Sequence, residues 1–277
     1  TSELINNTLN NANTALGEDA FQRIIKDAHQ ANIMFLIQQA NLRASELKSA
    51  GMKDFHNQVA EVNAAENKKI SNIEISAYAS PDGATDLNTD LAEKREANTN
   101  KYLSKELKKA KVDAVVDAKY TAEDWEGFQE LVSKSNIQDK ELILRVLSMY
   151  QDPEQREREI KNISSVYKNL ADDILPQLRR SRLTLNYEII GKSDEEIAKL
   201  ADADASKLSL EEILYAATLT NDNAKKAAIY TKATQQFPND YRAYNNLGAL
   251  AFQAGDITKA ESFLSKAASL KAAPEVS

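Results

Sequence analysis

The sequence predicts an α+β domain on a mixed four-stranded sheet, followed by an all-α module. Three observations carry this reading. Strand-like stretches occur at Ile33–Ile37, Ile73–Ala79, Val112–Tyr120 and Leu183–Ile189, with helical spacing between them. After Gly191 every apolar pattern is helical. Aromatic content is 6% with seven glycines in 277 residues, which favours helix over an all-β architecture.

The elements follow in order. Residues 1–20 are polar and Asn-rich, and read as a linker or the tail of a missing N-terminal part. Asp19–His29 has helical spacing, with Phe21, Ile24, Ile25 and Ala28 on one side. Ile33–Ile37 is a continuous apolar run of strand length. Ala44 to about Asn67 reads as a helix with Leu47, Phe55, Val59 and Val62 apolar. In the second strand Ile73, Ile75, Ala77 and Ala79 alternate with Glu74, Ser76 and Tyr78, so one face is expected to be buried. Ser80-Pro81-Asp82-Gly83 is a turn. Asn88–Leu107 is a helix carrying Leu91, Tyr102 and Leu103.

Two further strands follow, with Val112, Ala114, Val116, Ala118 and Tyr120 alternating in the third and Leu183, Leu185, Tyr187 and Ile189 in the fourth. Between them runs a helical insertion, 121–178. Trp125, Phe128 and Leu131 mark its first helix, Ile143, Leu144, Val146 and Leu147 its second, and Ile160, Ile163, Val166 and Leu170 its third. Asp152-Pro153 supplies a cap and a first-turn proline. So long a connection is expected to pack over one face of the sheet.

Composition narrows the function. A net charge of −7 argues against a nucleic-acid partner, which selects a basic face. The absence of cysteine excludes disulfides and thiolate-bound metals. His29 and His56 are the only histidines and neither has a metal-ligand spacing. No nucleophile elbow, P-loop or dinucleotide fingerprint occurs, so the chain reads as no enzyme and needs no cofactor. No apolar run reaches the roughly eighteen residues of a membrane-spanning helix. Thr1–Asn11 has no signal-peptide pattern, so in an exported protein the signal is expected to have been removed.

The helical end contains a repeat. Tyr244, Leu247, Gly248, Ala251, Ala260, Leu264 and Ala267 resemble a tetratricopeptide repeat, with Gly255-Asp256 as its turn. Ile213, Ala217, Ala227, Tyr230, Ala233 and Pro238 resemble a second copy, although Leu214 stands at its glycine position. The resemblance implies a concave face for a peptide or a protein partner whose identity the repeats do not disclose. Ser193 and Ser209 start helices, Ser209 with Glu212 at capping-box distance. Two repeats are fewer than stand alone, so Gly191–Ala205 is expected to add helical cover, or the module to dock on the first domain.

The segment that carries a site is Ile73–Ala97. Asn88 and Arg95 lie on one helix face with Leu91 or Ala92 between them. An amide near a helix N-terminus and a guanidinium two turns on can converge on a carboxylate. Gly83, Asn88, Leu91 and Arg95-Glu96-Ala97 resemble, in spacing, the OmpA C-terminal-like peptidoglycan-binding family. Ile33–Ile37 with Leu42 is similar to that family's first strand and helix start. Arg179-Arg180-Ser181-Arg182-Leu183 is similar to its approach to the last strand. The resemblance spans 21–191, with a longer insertion than usual, and leaves 192–277 as the helical module.

This resemblance implies a non-catalytic, periplasmic, outer-membrane-associated protein that binds the diaminopimelate stem peptide of peptidoglycan. Arg95 takes the family's arginine role. Ser80 stands where the family has an aspartate, and Asp82 is the substitute. Gln38 matches a polar first-strand position and Arg180 the terminal pair. The expected site is therefore Gln38, Ser80, Asp82, Gly83, Asn88, Leu91, Arg95 and Arg180. The alternative is a protein–protein scaffold whose OmpA-like domain has lost the ligand with that aspartate. An open pocket between Gln38, the turn and Arg95 favours binding, and a pocket filled by the insertion favours the scaffold.

Overall fold

A computed structural model of the chain describes Phe21 and residues 23–272, without the side chains of 164–166. The expected linker at 1–20 lies outside the described residues. Two compact units result. One is Ile24–Ile190, and the other joins residues 191–272 with Phe21 and Arg23.

The first unit is α+β, as its alternating and helical patterns predict. Its sheet contains β1 (Ile24–Met34), β2 (Lys68–Tyr78), β3 (Val116–Thr121) and β4 (Arg180–Ile190). The order is β1-β4-β2-β3, with β4 antiparallel to both neighbours and β2 parallel to β3. Helices α1 (Ala44–Leu47) and α2 (Ala50–Ala64) connect β1 to β2, and α3 (Thr85–Lys109) connects β2 to β3. Ile33, Ile73, Ile75, Leu183 and Leu185 project from the sheet onto Met52, Phe55, Val59 and Val62 of α2 and Leu103 of α3. Each large side chain so buried contributes roughly 1.5–3 kcal/mol. The alternate residues are polar, and Asn186 donates to Asn72 across β4 and β2 at 2.8 Å.

Several boundaries differ from expectation. From Ile24 to His29 the helix expected at Asp19–His29 is instead the first half of β1, which pairs with β4 from Ile24↔Ile190 to Met34↔Arg180. Ile24 and Ile25 are exposed, so their spacing with Phe21 and Ala28 marks no buried helical face. The strand expected to run to Ile37 ends at Met34. Phe35 still donates to Arg179 O at 2.7 Å, and Leu36 and Ile37 lie beyond the ladder, exposed. The single helix expected from Ala44 to about Asn67 breaks at Lys48–Ser49, where the Ser49 side chain caps α2 through Met52 N. The third strand begins at Val116, four residues after Val112, because Lys111 turns the chain with a φ of 56°.

The insertion contains α4 (Trp125–Lys134), α5 (Lys140–Met149), α6 (Pro153–Asn162), α7 (Ser164–Asn169), a π turn (Leu170–Ile174) and α8 (Leu175–Leu178). Asp152 caps α6 with Pro153 in its first turn. The third expected helix is thus split into several pieces. The insertion's buried apolar side chains do not join the core of the sheet. Phe128, Val132, Ile143, Leu147, Ile160, Leu170 and Leu178 form a core of their own.

The second unit is all-α: α9 (Asp194–Ala203), α10 (Leu210–Thr218), α11 (Asn223–Gln236), α12 (Tyr241–Gln253) and α13 (Ile257–Ala272). Ser193 with Glu196 and Ser209 with Glu212 form complete capping boxes. Ile197 and Ala201 of α9 share a core with Ile213, Ala217, Tyr230 and Leu247, which is the helical cover expected from 191–205. Gly255 turns the chain at φ +80°. Gly248 lies where α12 meets α13, and a Cβ there would sit 2.7 Å from Leu264 Cγ. Phe21 stacks on Tyr215 with ring centroids 4.2 Å apart.

Candidate functional site

The candidate site lies where β2 ends and α3 begins. β2 closes at Tyr78, and Ala79 N donates to Thr121 O. Gly83 has φ +115°, a conformation that side chains resist, so a glycine suits this corner. α3 then starts at Thr85 with no side-chain cap, and Asp86 lies in its first turn. The geometry brings Ser80, Asp82, Gly83 and Asn88 together. The Ser80 hydroxyl donates to Asp82 Oδ1, and Asn88 Nδ2 donates to Gly83 O at 3.4 Å. Asn88 is buried and Leu91 half-buried.

Arg95 lies beneath this turn with none of its surface exposed. Its Nε donates to Gln39 O at 2.9 Å, Nη1 to Tyr78 O at 2.8 Å and Nη2 to Leu36 O at 3.2 Å. The guanidinium carbon stands 4.9 Å from the centre of the Phe35 ring. Burial, aided by the nearby Arg179 cation and opposed by Asp82, pushes the Arg95 pKa down to about 10. The side chain is still charged at neutral pH. Its donors hold the β1–α1 loop to the end of β2.

The turn is roofed by the insertion. Gly83 N donates to Glu157 Oε1 at 2.8 Å, and Lys161 Nζ holds the same oxygen at 2.5 Å. Pro81 and Asp82 pack with Trp125, Phe128 and Ile160, leaving a void of only about 10 Å³. A water needs about that much space, so among the described residues this void under the roof admits no ligand.

No family model, curated protein or solved structure matches this chain.

Two predicted positions stand apart from this cluster. Gln38 is exposed on the β1–α1 loop with φ 56°. Arg180 faces the insertion: Nη2 pairs with Asp124 Oδ2 at 3.1 Å, Nη1 donates to Gln177 O at 2.9 Å, and the guanidinium covers the Tyr78 ring at 4.9 Å. Burial lowers the Arg180 pKa, and Asp124 opposes the shift. The arginine at the turn is Arg179, which contacts Asp82 Oδ2 and Ser80 Oγ, each at 3.4 Å. The arginine run at 179–182 signals both, but strand phase decides which way each points. The hold of Glu157 on the turn has no sequence signal, since that partner is a main-chain amide 74 residues away.

Chemically the cluster is a set of satisfied ion pairs and hydrogen bonds. Among the described residues no group of His, Asp and Glu could hold a metal ion. Asp82 faces Arg179, Glu157 faces Gly83 N and Lys161, and Arg95 faces main-chain oxygen.

Proposed function

We propose that this chain is a non-catalytic cell-envelope scaffold in which an OmpA-like unit serves as structure and tetratricopeptide-like helices recruit a protein partner. One observation carries this reading. The guanidinium that the OmpA resemblance assigns to a ligand carboxylate is fully buried and donates to three main-chain carbonyls. Ser80 at the family's aspartate position and the Glu157 roof on Gly83 agree with it.

Recruiting Arg95 to a ligand would break three buried hydrogen bonds to charge, each worth about 1.5–3 kcal/mol. The OmpA-like reading rests on the strand–turn–helix at 73–97. The repeat reading rests on the small residues Gly248 and Ala260 where α12 meets α13.

The test is calorimetric titration of a diaminopimelate-containing muropeptide into the wild-type chain and Asp82→Asn. No binding that weakens in Asp82→Asn is expected at millimolar ligand. Binding by the wild type that weakens in Asp82→Asn would restore the peptidoglycan reading. A photo-crosslinking residue at exposed Gln253 on α12 is expected to trap one envelope protein in cells. A similar probe at exposed Glu93 on α3 is expected to trap none. Failure to crosslink from any exposed position in 194–272 removes the recruiting role.

A further inference from the structure

The β1–α1 loop carries features that the turn at 80–83 does not use. Leu36 and Ile37 follow β1 with 46% and 56% of their surfaces exposed. Pro176–Arg179, where the insertion leads into β4, stands opposite them. Between the two is a cleft of about 480 Å³. Ligand sites typically measure about 300–1,000 Å³, with apolar walls and a few convergent polar groups. Phe35, Leu36, Ile37 and Pro176 supply apolar wall here, and Arg43 and Arg179 stand in the lining.

The charge of this cleft is unusual for the chain. Arg43 Nη2 reaches Met34 O and Glu46, but its Nε is buried with no hydrogen-bond partner. A buried donor without an acceptor costs free energy, and natural sites rarely leave one so. Arg179 holds Asp82 at a loose 3.4 Å. Arg95 lies behind the wall, bonded to the carbonyls of Leu36 and Gln39. Three guanidinium groups thus meet two carboxylates, Glu46 and Asp82, in a protein whose net charge is −7.

We propose that this cleft binds a peptide carboxylate carried beside an aliphatic side chain, with Arg43 and Arg179 on the carboxylate and Leu36, Ile37 and Pro176 on the side chain. A planar guanidinium matches a carboxylate in two parallel hydrogen bonds, and Arg43 and Arg179 both line the cleft. The lining excludes Ser80, Asp82, Gly83 and Asn88. The cleft shares Arg179 with the turn, where that side chain pairs with Asp82, but it needs no ligand on Arg95. The carboxylate can come from a peptide C-terminus or from an acidic side chain, and the same chemistry recognises both.

Amide NMR of the full chain tests this with three probes: acetyl-Leu-Leu with a free C-terminus, its C-terminal amide, and acetyl-Leu-Glu-Leu-amide. Shifts are expected at Leu36, Ile37 and Gln177 with the first probe, and about tenfold weaker binding with the second, a difference of about 1.4 kcal/mol. Binding of the third as tightly as the first assigns the source to acidic side chains, and weak binding assigns it to C-termini. Arg43→Gln is expected to weaken binding about tenfold. Ile37→Glu, at a position 56% exposed, is expected to fold and to abolish it. Equal binding of acid and amide, shifts insensitive to Ile37→Glu, or no shifts at millimolar probe would overturn the proposal.

Discussion

Arg95 decides how the turn at 80–83 is understood. Its charge sits where water cannot reach, and main-chain oxygen replaces that water at three points. Thr99, one helical turn on, returns a hydrogen bond to Arg95 O at 2.7 Å and places its hydroxyl 2.8 Å from Ser181 Oγ of β4. Arg95→Ala strands three carbonyls and opens a cavity. It is expected to cost about 3–5 kcal/mol in urea unfolding. Arg95→Lys keeps the charge but lacks the planar fork, so a loss of about 1–3 kcal/mol is expected. If Arg95→Ala unfolds at the wild-type midpoint, the residue is not the brace described. The spacing from Asn88 to Arg95 was legible in the sequence, because helix geometry alone puts both on one face. Its targets were not, because the carbonyls of Leu36, Gln39 and Tyr78 carry no side-chain signature.

At the level of elements, legibility followed the pleat. β2 and β4 alternate buried and polar positions, so their residues announce them. β1 is an edge strand whose N-terminal half is exposed, and only Ala31 and Ile33 point into its core. Adjacent Ile24 and Ile25 then mimic a helical pair. Two contacts between helices give testable consequences. Gly248→Val forces a side chain onto Leu264 and is expected to destabilise the helical unit by about 1–3 kcal/mol, read from its thermal unfolding. His56 on α2 meets the Tyr102 hydroxyl on α3 at 2.9 Å. Burial holds its pKa below the ordinary 6.5, with Glu106 pulling the other way. Below pH 6.5 the unfolded chain therefore binds a proton at this position before the folded one does, and stability falls as the solution is acidified until the lowered folded value is passed. The denaturation midpoint is expected to drop over that window. His56→Asn should flatten the slope, and an unchanged slope would assign the acid sensitivity to other groups.

Across the whole molecule, the sheet and the insertion keep separate apolar cores within the unit Ile24–Ile190. Truncating Phe128 to Ala is expected to cost about 3–5 kcal/mol where it packs. Hydrogen exchange should then accelerate in 125–178 while the amides of β2 and β4 stay protected. Equal acceleration in both regions would mean that the two cores open together. The same division explains why the insertion's length was readable and its purpose was not. Its helices have clear apolar periodicity, but its hold on the turn depends on single polar atoms far apart in sequence. Asp124 ties the insertion to β4 in the same way. One carboxylate caps α4 through Gly127 N at 2.9 Å and pairs with buried Arg180 of β4. Gly127 leaves room for it, since a Cβ there would fall 2.4 Å from Asp124 Oδ2. Excising 121–178 to make a minimal domain would therefore leave a cation stranded in the last strand. A shortened version of this protein needs an apolar replacement at Arg180 before it needs a shorter loop.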